Sequence, residues 1–129
     1  MRRRTILVVN DEPGVQDLWA QILSEEGFRV LRARDAAEAS TYLAIYRPTL
    51  AICKARLPGP DGVWLAEMIR SKSRATAVVL VEGESDADLR AALRDTNVAH
   101  VHGPRDREEL LTTVRRAIEW NSHPAPAAH

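Results

Sequence analysis

The side chains best suited to chemistry each follow a short apolar run. Asn10-Asp11-Glu12 follows Ile6 to Val9, and Lys54 follows Leu50 to Cys53. Glu82 follows Ala77 to Val81, and His102-Gly103 follows Val98 to Val101. A lysine among carboxylates has two possible chemistries. As a Schiff-base amine or general base it needs a lowered pKa, from desolvation or nearby cations. Carboxylate neighbours favour the charged ammonium instead, which makes Lys54 an ion-pair partner. An enzyme using Lys54 is therefore the weakest alternative. The chain has no nucleophile elbow, phosphate-cradling glycine loop or CxxC pair, and a non-enzyme is expected. His100 and His102 lie two apart, on one face of a strand. An imidazole can respond to pH near neutrality, but a two-histidine metal site lacks further ligands nearby. A packed or solvent-facing role is the commoner one. Cys53 is the single cysteine. It cannot form an internal disulfide, and it reads as an inert core thiol.

These groups need a scaffold, and the apolar periodicity supplies one. The runs Ile6–Val9, Leu50–Cys53 and Ala77–Val81 read as strands buried on both faces. Phe28–Ala33 and Val98–Val101 complete a set of five. Pro13-Gly14 opens a first helix, with Val15, Leu18, Trp19, Ile22 and Leu23 at helical spacing. Gly27 suits its left-handed end. Asp35 caps a second helix with an inner face of Ala36, Ala39, Leu43 and Ala44, and Arg47-Pro48 stops it. Asp61 caps a third helix with Leu65, Met68 and Ile69 inward. Ser85 or Asp86 opens a fourth through Leu89, Ala92 and Leu93. Asp106 caps a fifth with Leu110, Leu111, Val114 and Ile118 inward. Trp19 and Trp120 read as structural, and Trp64 as facing outward or half buried. The order strand–helix, five times, predicts an α/β domain with a doubly wound five-stranded parallel sheet and five helices. In such sheets the working site lies at the carboxyl ends of the central strands, where the polar residues stand.

Composition agrees. The 129 residues carry 18 basic and 18 acidic side chains, with 45% hydrophobic and 28% charged residues. That is one globular domain, expected over residues 1–120, followed by a Pro/Ala-rich disordered tail over 121–129. A net charge of zero argues against nucleic-acid binding by bulk charge. Arg2-Arg3-Arg4 precedes too short an apolar run for an export signal, and no stretch reaches the ~20 apolar residues of a membrane span. A cytoplasmic protein without direct membrane contact is expected.

The chain resembles the receiver domains of bacterial two-component response regulators, of the chemotaxis-regulator type. The resemblance runs from Arg4 to about Trp120. It rests on Ile6-Leu7-Val8-Val9-Asn10-Asp11-Glu12, on Leu57-Pro58-Gly59-Pro60-Asp61-Gly62, and on Gly103-Pro104 before the last helix. It implies the flavodoxin-like receiver topology. It also implies a site in which an acidic pair and an acceptor aspartate hold Mg²⁺, while a Thr or Ser and a Lys bind the transferred phosphoryl oxygens. The chain departs from that pattern. Asn10-Asp11 stands for the acidic pair, Lys54 for the acceptor, Glu82 for the Thr/Ser and Gly103 for the Lys. Asp11, with Glu12 beside it, is the vestige of the metal site. His100 takes the place of the aromatic switch residue on the fifth strand.

A lysine forms no acyl phosphate, Gly103 removes a cation, and Glu82 repels phosphate. The expectation is a degenerate receiver with no cofactor and with Mg²⁺ binding lost. It would act as a phosphorylation-independent signalling module that binds a histidine kinase, another regulator or a copy of itself. The surface for this contact, a homodimer included, would be the fourth helix, fifth strand and fifth helix, with Arg90, Arg94, His100, Arg107 and Arg115 beside Asp88 and Glu108. A Lys54 ammonium paired with Asp11 and Glu82 would hold the loop after the fourth strand inward. The alternative is a phosphorelay receiver with a nonstandard acceptor, Asp11 or Glu12.

Overall fold

Alternating β-branched and aliphatic residues form strands where both faces are covered, and the computed structural model places them so. It describes residues 3–83, 99–102 and 106–122. The strands are β1 (Thr5–Val9), β2 (Arg29–Ala33), β3 (Leu50–Lys54), β4 (Ala77–Glu82) and β5 (Ala99–His102). All neighbours pair in parallel, in the order β2-β1-β3-β4-β5. Strand order reverses between β1 and β3, so the crevice at their carboxyl ends is the topological switch point.

The helices are α1 (Pro13–Glu25), α2 (Ala36–Tyr46), α3 (Gly62–Lys72) and α4 (Arg107–Ser122). Helices α2 and α3 cover one sheet face, over Leu7, Val9, Ala51, Cys53, Val78 and Leu80. Helices α1 and α4 cover the other, over Ile6, Val8, Leu50, Ile52, Val79 and Val81. Every residue of β4 is buried. Each such aliphatic side chain contributes roughly 1.5–3 kcal/mol.

The expected caps form. The Asp35, Asp61 and Asp106 carboxylates accept from the backbone N–H of Glu38, Trp64 and Glu109, at 2.9, 3.0 and 2.9 Å. Arg47 closes α2 in the left-handed region at φ 44°. Gly27 does the same after α1, at φ 95°.

Four details differ from the sequence reading. The inner stripe of α1 is Gln16, Trp19, Ala20, Ile22 and Leu23, and Leu18 is exposed. A stripe through positions 16, 19, 20 and 23 keeps the i, i+3, i+4, i+7 phase, and Leu18 falls outside it. Ala44 is exposed on α2, beyond the narrow stripe of Ala36 and Ala39. Trp120 is exposed, off the line of Leu110, Val114, Ala117 and Ile118. Finally, α4 runs two residues into the expected tail. Asn121 anchors it there, donating to the carbonyls of Arg74 and Ala75 at 3.1 and 3.2 Å. The fourth helix of the sequence reading, and residues 123–129 of the tail, lie outside the described residues. So the described chain has four helices where the sequence reading has five.

Gly62 opens α3 where the loop doubles back on β3. A Cβ there would meet the Lys54 carbonyl at 2.3 Å and the Ala55 Cα at 2.9 Å, both backbone. Gly62→Ala is expected to lower stability by about 1–3 kcal/mol in urea unfolding, because backbone cannot step aside. Cys53 is fully buried, and desolvation pushes its thiol up to about 12. An aromatic disulfide reagent is expected to leave the folded protein unlabelled and to titrate one thiol in urea.

Candidate functional site

The crevice between β1 and β3 is built from the loop Asn10-Asp11-Glu12 and the tip of β3. Asn10 is 2% exposed. Its backbone N–H donates to the Ala33 carbonyl at 3.0 Å. Its side-chain Oδ1 accepts from the Glu12 N–H at 2.9 Å. This Asx turn leads the chain into α1. Gln16 reaches back from α1, and its Nε2 donates to the carbonyls of Asn10 and Ala33 at 3.0 and 2.9 Å. Its Oε1 accepts from Arg32 Nε at 2.9 Å, and Arg32 in turn pairs with Asp17. Gln16 was not singled out in the sequence. Its signal was a polar residue three and seven positions before Trp19 and Leu23, on the stripe that faces the sheet.

Lys54 leaves the end of β3 and enters this crevice. Its Nζ donates to Asp11 Oδ1 at 2.9 Å and to Glu12 Oε1 at 3.1 Å. The Lys54 and Asp11 side chains are 28% and 31% exposed, and Glu12 is more open. Desolvation works against the ammonium and is the largest single influence on it. The hydrogen bonds and charges of Asp11 and Glu12 together outweigh it, and the Lys54 pKa lies above its ordinary value.

The expected partners of Lys54 are Asp11 and Glu82. Among the described residues the carboxylates within ion-pair distance of Lys54 are Asp11 and Glu12. The register gives the reason. Lys54 stands level with Val81, not Glu82, and successive side chains leave opposite faces of a sheet. Glu82 is 1% exposed at the end of β4. The backbone of His102 stands beside it, and that of His100 beside Leu80. Gly103, Asp88, Arg90 and Arg94 lie outside the described residues.

Two cations assigned to the partner surface are engaged within the chain. Arg107 pairs with Glu25 at 2.5 Å and with Glu26 at 2.8 Å, and Arg115 pairs with Glu26 at 2.5 Å. These bonds tie the start of α4 to the end of α1. The Arg107 hydrogen bonds hold both glutamates below the usual carboxylate range.

The donor set does not suit a hard dication, which asks for several free oxygen ligands. The Asn10 carboxamide oxygen already accepts the Glu12 N–H, an Asp11 oxygen is bonded to an ammonium, and the third group is that ammonium. Among the described residues no three His, Cys, Asp or Glu side chains are grouped to hold a metal. None of the described helices is long and apolar enough to cross a membrane.

The known proteins that this chain is similar to share its fold. A profile of the response regulator receiver domain matches residues 6–115. The chain belongs to that family, which serves two-component signalling. The nitrogen assimilation regulatory protein NtrX of Azorhizobium caulinodans is 32% identical over 117 residues, covering 88% of this chain and 26% of that protein. The signal receiver domain of an HD domain-containing protein from Pseudomonas fluorescens Pf-5 is 31% identical with a TM-score of 0.86, covering 94% of this chain and 98% of that one. A CheY-like receiver domain from Methanospirillum hungatei JF-1 shares the fold at a TM-score of 0.88 and 22% identity, over 96% and 100% of the two chains. The chain spans between a quarter and about half the length of the curated relatives it matches first. Receiver domains interact with kinases or other regulators.

The Lys54 cluster has a pH signature. A raised folded-state pKa means that its stabilisation is complete below the ordinary lysine value of 10.5 and disappears as pH rises through the folded value. Lys54→Met is expected to lose up to about 1 kcal/mol. In urea unfolding the gap to the parent chain should stay constant through neutral pH and close in the alkaline range. A gap that opens as pH rises would contradict the ion-pair assignment.

Proposed function

We propose that this chain is a degenerate receiver that signals without aspartyl phosphorylation, as a protein-binding module in which Lys54 holds the place of the phosphoacceptor. The observation that carries the reading is the Lys54 ammonium, 2.9 Å from Asp11 and 3.1 Å from Glu12. A fixed cation sits where the family's chemistry needs an exchangeable metal and an anionic nucleophile. Transfer to an ammonium is blocked because its nitrogen lone pair carries a proton. The loss of one carboxylate to Asn10 removes a metal ligand, and Asn10 is instead committed to the turn before α1.

The same geometry supports a non-enzymatic role. An amine nucleophile needs a lowered pKa, and Lys54 is held in the opposite direction. A nonstandard acceptor has a physical obstacle, because Asp11 and Glu12 are both bound to the lysine. The partner is a protein of the signalling pathway: a histidine kinase, another regulator or a second copy. In this reading the crevice stays in one state, since an ion pair within the chain replaces a charge delivered by phosphorylation. Asp11, Glu12 and Lys54 then fix the first loop against the tip of β3, and the binding surface is held in a constant form.

Beryllofluoride with Mg²⁺ is expected to leave the amide spectrum of the chain unchanged, and acetyl phosphate to add no stable phosphoryl group. Capture of partners from a lysate of the source cell is expected to recover the same protein with and without acetyl phosphate. Stable label on Asp11 or Glu12 would establish the nonstandard acceptor and overturn the reading.

A further inference from the structure

At the opposite end of the sheet, the ends of α2 and α3 and the turns that follow them line a cleft of about 760 Å³. Its apolar wall includes Leu43, Met68 and Ile69, and its ionisable lining residues are Arg47, Lys72 and Arg74. All three are cations, and no carboxylate lines the cleft. Among the described residues none of the three has an ion-pair partner, whereas Arg32, Arg107 and Arg115 all do. A volume of this size falls within the range of small-molecule sites, which combine apolar walls with a few polar groups.

The rim is preorganised. The buried Thr76 hydroxyl donates to the Pro48 carbonyl at 2.8 Å, tying the turn after α2 to the turn after α3. Ser73 Oγ lies 2.9 Å from Thr76 Oγ1. Asn121 holds the Arg74 and Ala75 carbonyls from α4. The loops that carry Arg47 and Arg74 are therefore fixed before any ligand arrives, which reduces the ordering cost of binding.

Arg47 supplies the second observation. It occupies the left-handed region at φ 44°, where glycine or asparagine is the ordinary helix-ending residue. A non-glycine residue in a sparsely populated region carries a local cost, and such residues cluster at ligand and switch sites. The C-terminal dipoles of α2 and α3 attract cations and account for part of this charge. Arg74 lies past the end of α3, in the connection to β4, and extends the cationic rim beyond the helix.

We propose that this cleft binds a small anionic amphiphile, with an apolar body against the partly buried Leu43 and Met68 and a carboxylate or phosphate at Arg47, Lys72 and Arg74. The site is remote from the Lys54 crevice and independent of how that crevice is read. The test uses the full 129-residue chain and 1-naphthyl phosphate as probe, with neutral 1-naphthol and inorganic phosphate as separate arms, followed by amide chemical shifts. The phosphate ester is expected to shift amides at the two turns, residues 47–50 and 72–77, and to bind at least about tenfold more tightly than either arm. Arg47→Gly is expected to weaken it about three- to tenfold while leaving the urea midpoint unchanged or higher, since glycine suits this backbone. Lys72→Glu is expected to weaken it further. Equal binding of naphthol, shifts scattered over the surface, or full affinity in both variants would overturn the site. A fall in the Arg47→Gly midpoint with full affinity would show Arg47 to be structural and would also overturn it.

Discussion

An ammonium held between two carboxylates organises the carboxyl end of the central strands. Lys54 projects from the tip of β3, and Asp11 and Glu12 stand in the loop that follows β1. These are the two strands between which the order of the sheet reverses. The crevice there exists because crossovers leave the two strands on opposite sides, so loops diverge and expose the strand ends. Whatever charge stands in that gap must be answered locally. A covalently attached cation does so without exchange, and it is present at every neutral pH.

The supporting shell is designed around the loop rather than around a ligand. The Asn10 side chain accepts the Glu12 amide, and Gln16 donates to the backbone carbonyls of Asn10, just past β1, and of Ala33 at the end of β2. These are satisfied polar groups in a dry setting, where leaving one unpaired costs about 1–3 kcal/mol. The loop is thereby fixed, and Asp11 and Glu12 are presented together to Lys54. The ion pair itself is partly exposed and worth little in stability. Its consequence is chemical: it occupies two carboxylates and keeps the amine protonated.

Much of this was legible in the residues. The apolar runs at β1, β3 and β4 could be placed because both faces of a parallel sheet are covered. The three aspartate caps and the Gly27 turn followed from local backbone chemistry. The polar strand ends marked the crevice, with Lys54 and Asp11 in it. Asp11 was legible as a partner of Lys54, but the second partner, Glu12 in place of Glu82, was not, because it depends on register: Lys54 stands beside Val81, and one residue of offset moves Glu82 to the other face. Leu18 misled because the stripe of α1 includes a polar residue, Gln16, which hydrogen bonding makes compatible with burial. Asn121 was assigned to the tail on composition, and its side chain instead closes the α3–β4 connection. Arg107 and Arg115 read as surface charge, but Glu25 at the end of α1 and Glu26 just past it stand beside them.

An amine standing in place of a metal at the strand tips has a direct magnetic consequence. Paramagnetic broadening by Mn²⁺ tests it most directly, in the parent chain and in Lys54→Asp side by side. With the lysine present, the amide resonances of residues 10–12 and 53–55 should keep their width at millimolar Mn²⁺, and the aspartate variant should broaden them. Selective broadening of those same resonances in the parent chain would contradict the account.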